Sequence, residues 1–207
     1  MKRREALKGL GLSLGYVIAA PTAISILESC SKKEASWTSV FFTEDEKQMV
    51  GHLVDIILPV SDTPGGLDLN LPQFIDMMCN DTLKASDKQL FHQGSQFFAD
   101  EYQQSFKKSI KNSNRDNIKQ LFSLYFDLDQ TEQDKVKLMQ SRSVVGLTGE
   151  DKKNFTIYKF LLMVRSLSLL GYFTSEQIGK EVLSFDPIPG GYKACIPLSE
   201  IGNAWTI

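Results

Sequence analysis

The sequence predicts an all-α domain of about six or seven helices with an irregular Pro/Gly-rich C-terminal wrap, and three observations predict it. Apolar residues recur at three- and four-residue spacing through most of the chain after Trp37. Ser/Thr residues followed three positions later by Glu, Gln or Asp precede several of these stretches, as at helix starts. The one β-leaning pair worth naming, Val144-Val145, is too short to seed a strand.

Taken in order, Thr43-Glu44-Asp45-Glu46 reads as a capping box with acidic residues in the first turn. Met49, Val50, Leu53, Val54, Ile57 and Leu58 then form the apolar face of an amphipathic helix that Pro59 ends. Asp62-Thr63-Pro64-Gly65-Gly66 reads as a loop. A second helix is expected from Pro72 to about Leu83, with Phe74, Ile75, Met78 and Cys79 on its apolar side. Ser86-Asp87-Lys88-Gln89 reads as a capping box opening a long helix through Phe91, Phe97, Phe98, Tyr102 and Phe106 to about Ile110. Asn112-Ser113-Asn114 breaks the pattern. Two helices follow, from Asn114 to about Phe126 and from Thr131 to about Val144. Thr148-Gly149-Glu150-Asp151 caps a strong final helix, dense enough in Phe155, Tyr158, Leu161, Leu162, Val164 and Leu169 for a central position. Thr174 and Gln177 read as the capping box of one more short helix. Pro187, Pro189, Gly190, Gly191 and Pro197 then forbid regular structure, so the aromatic-bearing stretch Gly171–Leu198 has to lie against its own helices or another protein.

Ahead of this domain, residues 1–29 read as an export signal. Met1 to Lys8 is basic, and Gly9 to Ile26 carries no charge. The pair Arg3-Arg4 followed by Leu7 and Lys8 points to the twin-arginine route, which moves folded proteins. Leu27-Glu28-Ser29-Cys30 looks like a bacterial lipobox, with Cys30 the residue to be lipidated. Residues 30–42, polar from Ser31 to Ser36, then suit a tether to a domain spanning 43–207. The expected location is periplasmic, at the membrane through a lipid on Cys30.

Composition excludes several functions. The 207 residues carry 42% hydrophobic residues and 13 Phe, enough for a core, and a net charge of −2. Residues 1–29 hold four basic and two acidic groups, so the rest keeps 19 basic and 23 acidic residues. Nothing there is an electrostatic footprint for nucleic acid. Three Cys and two His, none closely spaced, give no zinc-site spacing and no haem-attachment motif. Asp62, Asp68 and Asp81 lack calcium-loop spacing, and Gly65-Gly66 and Gly190-Gly191 are not a dinucleotide fingerprint. His52, three residues before Asp55, and His92, beside Phe91, read as ordinary surface or half-buried histidines. No catalytic, cofactor-binding or metal-binding residue is assigned. Cys79 and Cys195 are an even pair that could form a disulfide in an exported chain, although Cys79 sits on an apolar face. Arg165, amid Leu162, Met163, Val164 and Leu167, either faces solvent or is pinned by an acid or carbonyls. On these residues alone, a stand-alone helical periplasmic lipoprotein acting as a binding or assembly module fits.

Four parts together resemble the gluconate 2-dehydrogenase subunit 3 (small, gamma subunit) family. They are the leader with Arg3-Arg4; Ile56-Ile57-Leu58-Pro59 running into Asp62-Thr63-Pro64-Gly65-Gly66; Leu71-Pro72-Gln73-Phe74-Ile75-Asp76; and Gly171 to Glu176 through Pro187-Ile188-Pro189-Gly190-Gly191-Tyr192 to Cys195. The resemblance implies a non-catalytic accessory subunit of a large dehydrogenase that oxidises a sugar or sugar acid. FAD is then expected in the partner's large subunit, a cytochrome c subunit is a possible third member, and the small subunit escorts the folded large one across the membrane. Tyr172, Phe173, Pro187, Pro189, Gly190 and Tyr192 are the expected partner-facing residues. The lipobox-like end departs from the family pattern and implies a lipid-anchored variant.

Overall fold

A computed structural model describes residues 37–141, 144–185, 190–191 and 195–205. Arg3, Arg4, Cys30, Pro187, Pro189 and Tyr192, with the whole expected leader, lie outside the described residues. The unit Ser39–Ile207 contains every described helix. These are α1 (Glu44–Ile57), α2 (Leu71–Thr82), α3 (Ala85–Phe106), α4 (Arg115–Phe126), α5 (Gln130–Gln140), α6 (Gly149–Thr174), α7 (Glu176–Glu181) and α8 (Leu198–Ile201). A 3₁₀ turn, Ile110–Asn112, joins α3 to α4. The expected all-α class holds: among the described residues there is no strand, only a parallel bridge between Ser184 and Trp205.

The start of α1 follows the sequence reading. Thr43 accepts from the Glu46 N–H while the Glu46 carboxylate accepts from the Thr43 N–H, so two otherwise orphaned donors are satisfied. Met49, Val50, Leu53 and Val54 form its buried stripe. The loop after it folds back on the helix end. The Gly66 N–H donates to Leu58 O at 2.8 Å, and the Gly65 N–H donates to the Asp68 carboxylate at 2.9 Å. A Cβ on Gly65 would stand 2.8 Å from the Val60 nitrogen, and one on Gly66 2.5 Å from Val54 Cγ1. Gly66 is therefore dictated by close approach to α1, and Gly65 by the tight return of the loop onto Val60.

The start of α3 departs from the expected capping box. The helix opens at Ala85 with Lys84 at the cap, so Ser86 lies inside the first turn. It ends at Lys107, which takes a left-handed conformation with φ 54° and donates its N–H to Gln103 O. The chain therefore leaves the helix before Ile110, which is buried in the 3₁₀ turn.

The 26-residue α6 is the central element, packing against α1, α2, α3, α5 and α7. Phe155, Ile157, Tyr158, Phe160, Leu161, Val164 and Tyr172 are buried around much of its circumference. Such burial all round marks a core helix rather than a two-sided surface helix. At its crossing with α3 it packs tightly on Gly94, where an added Cβ would run into the Thr156 carbonyl and stand 2.6 Å from Phe160 Cβ. The core beside the crossing is aromatic. Phe91 meets Phe160 edge-on at 4.9 Å between centroids and stacks on Phe42 at 5.5 Å. By contrast, α5 buries no residue and lies against α6 as a peripheral layer. No helix among the described residues is long and apolar enough to cross a membrane.

Candidate functional site

Two acids buried under the N-terminal segment organise the molecule, and the sequence reading assigned a role to only one of them. Asp76 sits at a core-facing position of α2 with Ile75 and Cys79 and is wholly buried. Its carboxylate accepts from the backbone N–H groups of Val40 at 2.8 Å, Phe41 at 3.0 Å and Phe42 at 2.8 Å, and from Ser39 Oγ at 2.7 Å. Burial alone would raise its pKa. The hydrogen bonds from Ser39, Val40, Phe42 and Phe41 outweigh that and hold it below the ordinary carboxylate value. Asp76 thus fastens the segment before α1 to the α2 core.

Glu46 is the second acid. Oε2 closes the capping box, and Oε1 reaches α3, 2.8 Å from His92 Nδ1 and 2.5 Å from Ser95 Oγ. The Phe41 ring covers His92 at 4.4 Å. These groups border a hollow of about 710 Å³ between the start of α1, α3 and the 3₁₀ turn. A serine, a histidine and a glutamate meet here, but in an order that does not make a nucleophile. Ser95 Oγ lies on Glu46 and on the His92 carbonyl oxygen at 2.9 Å, not on the imidazole that would have to take its proton. The arrangement joins α1 to α3. His92 therefore does more than an ordinary surface histidine, and its partner is 46 residues away in sequence.

His52 and Asp55 do not form a dyad. Asp55 is paired with Arg115, whereas His52 Nε2 is buried without a hydrogen-bond partner. On the opposite side, Glu101 accepts from the Tyr125 hydroxyl and pairs with Lys153 Nζ at 2.9 Å. Burial, followed by Glu101, pushes the Tyr125 phenol well above its ordinary value. Among the described residues no group of three or more His, Cys, Asp or Glu could hold a metal ion.

The disulfide that Cys79 and Cys195 could form is not present. Cys79 is a free, wholly buried thiol on α2, and Cys195 is free and exposed. Burial pushes the Cys79 pKa up to about 12, with the Asp76 and Glu46 charges adding to it. Arg165 is exposed.

The three characteristic stretches within the described domain converge on one corner. Gly171, in the last turn of α6, abuts α2: a Cβ there would stand 2.7 Å from the Phe74 ring and 3.0 Å from Leu71. The next residue, Tyr172, is buried and donates its hydroxyl to Thr63 Oγ1 at 3.1 Å, reaching the Asp62–Gly66 loop. Tyr172 therefore holds the corner together instead of facing a partner, which corrects its expected place. Phe173, edge-on to Tyr172, is 40% exposed. Val60 and Leu67, in the loop that Tyr172 reaches, are exposed too.

The short helix after the corner begins one residue later than expected. Ser175, not Thr174, caps α7, and the Thr174 hydroxyl donates back to Leu170 O. The segment beyond returns on itself. The Ser184 N–H donates to Ala204 O at 2.9 Å and Asn203 Nδ2 to Val182 O at 2.6 Å, closing a loop that carries exposed Gly190, Phe185, Leu198 and Trp205. It contains α8, so the C-terminal wrap is not wholly irregular.

The model of the family described as gluconate 2-dehydrogenase subunit 3 matches residues 44–190. No curated protein and no solved structure matches the chain.

Proposed function

The chain belongs to the gluconate 2-dehydrogenase subunit 3 family, and on that premise we propose that it is the non-catalytic small subunit of an exported FAD-dependent dehydrogenase acting on a sugar or sugar acid. It supports assembly and export of the large flavoprotein subunit, which carries the FAD. A cytochrome c subunit completes the electron path. Arg3 and Arg4 direct the folded pair to twin-arginine export, and a lipid on Cys30 holds it at the periplasmic membrane.

The observation that carries this reading is the corner where the three family stretches meet. Its inner residues, Gly171, Phe74 and Tyr172, are committed to packing, and its outer ones, Phe173, Val60 and Leu67, are apolar and exposed. Isolated exposed apolar side chains are common, but several on one element junction suit a partner surface. Where Ser95, His92 and Glu46 meet, the serine oxygen lies on the carboxylate and not on the imidazole, which supports a structural role. The test is affinity purification of the tagged chain from membranes. Co-purification of a large protein with flavin absorbance is expected. Recovery of the chain alone, with no flavin, overturns the proposal.

A further inference from the structure

Between Glu101 and Asp116 the chain contains no acid, yet it carries Lys107, Lys108, Lys111 and Arg115, with Lys119 just beyond. Arg115 is taken up by Asp55. Lys107, Lys108, Lys111 and Lys119 are exposed and make no ion pair among the described residues. Elsewhere Lys137 pairs with Asp134 and Lys180 with Glu176, and the exposed lysines without an ion pair among the described residues, Lys84, Lys135 and Lys152, are scattered over separate elements. The fold gathers the four free ammonium groups at one end. Lys107 caps α3, Lys108 follows it, Lys111 lies in the 3₁₀ turn and Lys119 stands one turn into α4. That end is also where the chain enters the domain. Phe41, Thr43 and Glu44 border the same hollow as Ser109, Ile110 and Lys111, and Gln48 donates to Ser113 at 3.3 Å.

We propose that this lysine corner is a membrane-facing surface that binds anionic lipid headgroups, orienting the domain once its N-terminal segment is tethered. The tether belongs to the proposed function, and this inference rests on it. Glu44 and Asp45 near Lys111, Asp100 near Lys107 and Asp116 in the first turn of α4 reduce the local field. None of them pairs with the four lysines, whose ammonium groups stay available to headgroups. Lipid fits better than an acidic protein surface. Protein interfaces are depleted in Lys and centre on aromatic or Arg anchors, and the one Arg here is occupied while Phe106 is half-buried. Flexible ammonium groups on irregular backbone suit a fluid layer of headgroups, where affinity follows charge number rather than fit.

The test compares the full chain with its K107Q/K108Q/K111Q/K119Q variant by vesicle sedimentation. The leader is present in both, so its contribution cancels in the ratio. On vesicles containing phosphatidylglycerol at low salt, the variant is expected to bind at least about tenfold more weakly. The ratio should shrink as salt rises and vanish on pure phosphatidylcholine. A control variant, K84Q/K135Q/K152Q, removes exposed lysines elsewhere and is expected to retain binding. Equal binding by wild type and the four-lysine variant overturns the inference, and so does an equal loss in the control. Unchanged vesicle binding with loss of the flavoprotein would assign the corner to a protein partner and overturn it as well. Failure of lipidation shows separately, as the absence of lipid on Cys30, and leaves this comparison readable.

Discussion

At the scale of single residues, stability is concentrated in Asp76. A carboxylate that accepts three successive backbone N–H groups leaves those three without that acceptor when it is removed, while the Ser39 hydroxyl keeps the Phe42 carbonyl. Asp76→Asn keeps the size but turns one acceptor into a donor facing backbone N–H groups, and should cost about 2–4 kcal/mol in urea unfolding. The pH dependence has a definite sign. The folded pKa lies below the unfolded one, so the stabilisation is fully present above the ordinary carboxylate value and is lost as pH falls through the folded value. The gap between wild type and variant should therefore narrow below about pH 4. A gap that is constant across acid pH would show that Asp76 acts through shape alone. Its neighbour Cys79, with its thiol pushed up to about 12, should resist alkylation in the folded protein while Cys195 reacts. Modification of both at similar rates would mean that α2 opens easily. Part of this was legible. The Thr43–Glu46 box follows from spacing alone, and Asp76 falls in phase with Pro72 and Cys79, which marks it as buried. What that phase does not give is the partner: residues 39–42 have no periodicity, and hydrogen bonds to backbone leave no trace in side-chain identity.

At the scale of elements, two mid-helix glycines separate propensity from packing. Gly51 on α1 has open space where a Cβ would stand. Gly51→Ala should therefore stabilise by up to about 1 kcal/mol through backbone entropy. Gly94 lies where α3 crosses α6, and a Cβ there meets backbone, which cannot swing aside. Gly94→Ala should destabilise by about 1–3 kcal/mol net of the same propensity gain. Opposite shifts of the urea midpoint are the expected result, and shifts of the same sign would refute the crossing geometry. The sequence placed α1, α2, α4 and α6 closely because their periodicity is strong. Of these four, only α1 and α4 have a side-chain cap, and the expected Thr148 box at α6 makes no cap bond. It misjudged the opening of α3, where a plausible box at Ser86 lay within the first turn of a helix begun by Ala85. It also ran α5 on to about Val144, whereas the helix ends at Gln140 and carries Val136, Leu138 and Met139 as its apolar residues. The structure leaves Leu138 exposed, while Val136 and Met139 are half-buried and border a hollow with Tyr125 and Tyr158.

At the scale of the whole molecule, the C-terminal stretch read as one partner-facing motif divides into parts with different tasks. Gly171 and Tyr172 tie α6 to α2 and to the loop after α1, so the family's separated stretches belong together because they touch. The returning segment is closed by Ser184, Ala204 and Asn203 and leaves Phe185, Leu198 and Trp205 in solvent. This division supplies a test that single-residue stability cannot mimic. Tyr172→Phe removes the bond to Thr63 and should cost about 0.5–1.5 kcal/mol while leaving the outer surface intact, so flavoprotein capture should persist. Phe173→Asp places a charge on a side chain already 40% exposed, so the fold should change little. Where Phe173 is buried by the large subunit, however, an unpaired charge is expensive to desolvate, and capture should fall at least about tenfold. If instead Tyr172→Phe abolishes capture and Phe173→Asp does not, the corner serves the partner through its internal geometry, and the binding surface lies on the closed loop around Trp205.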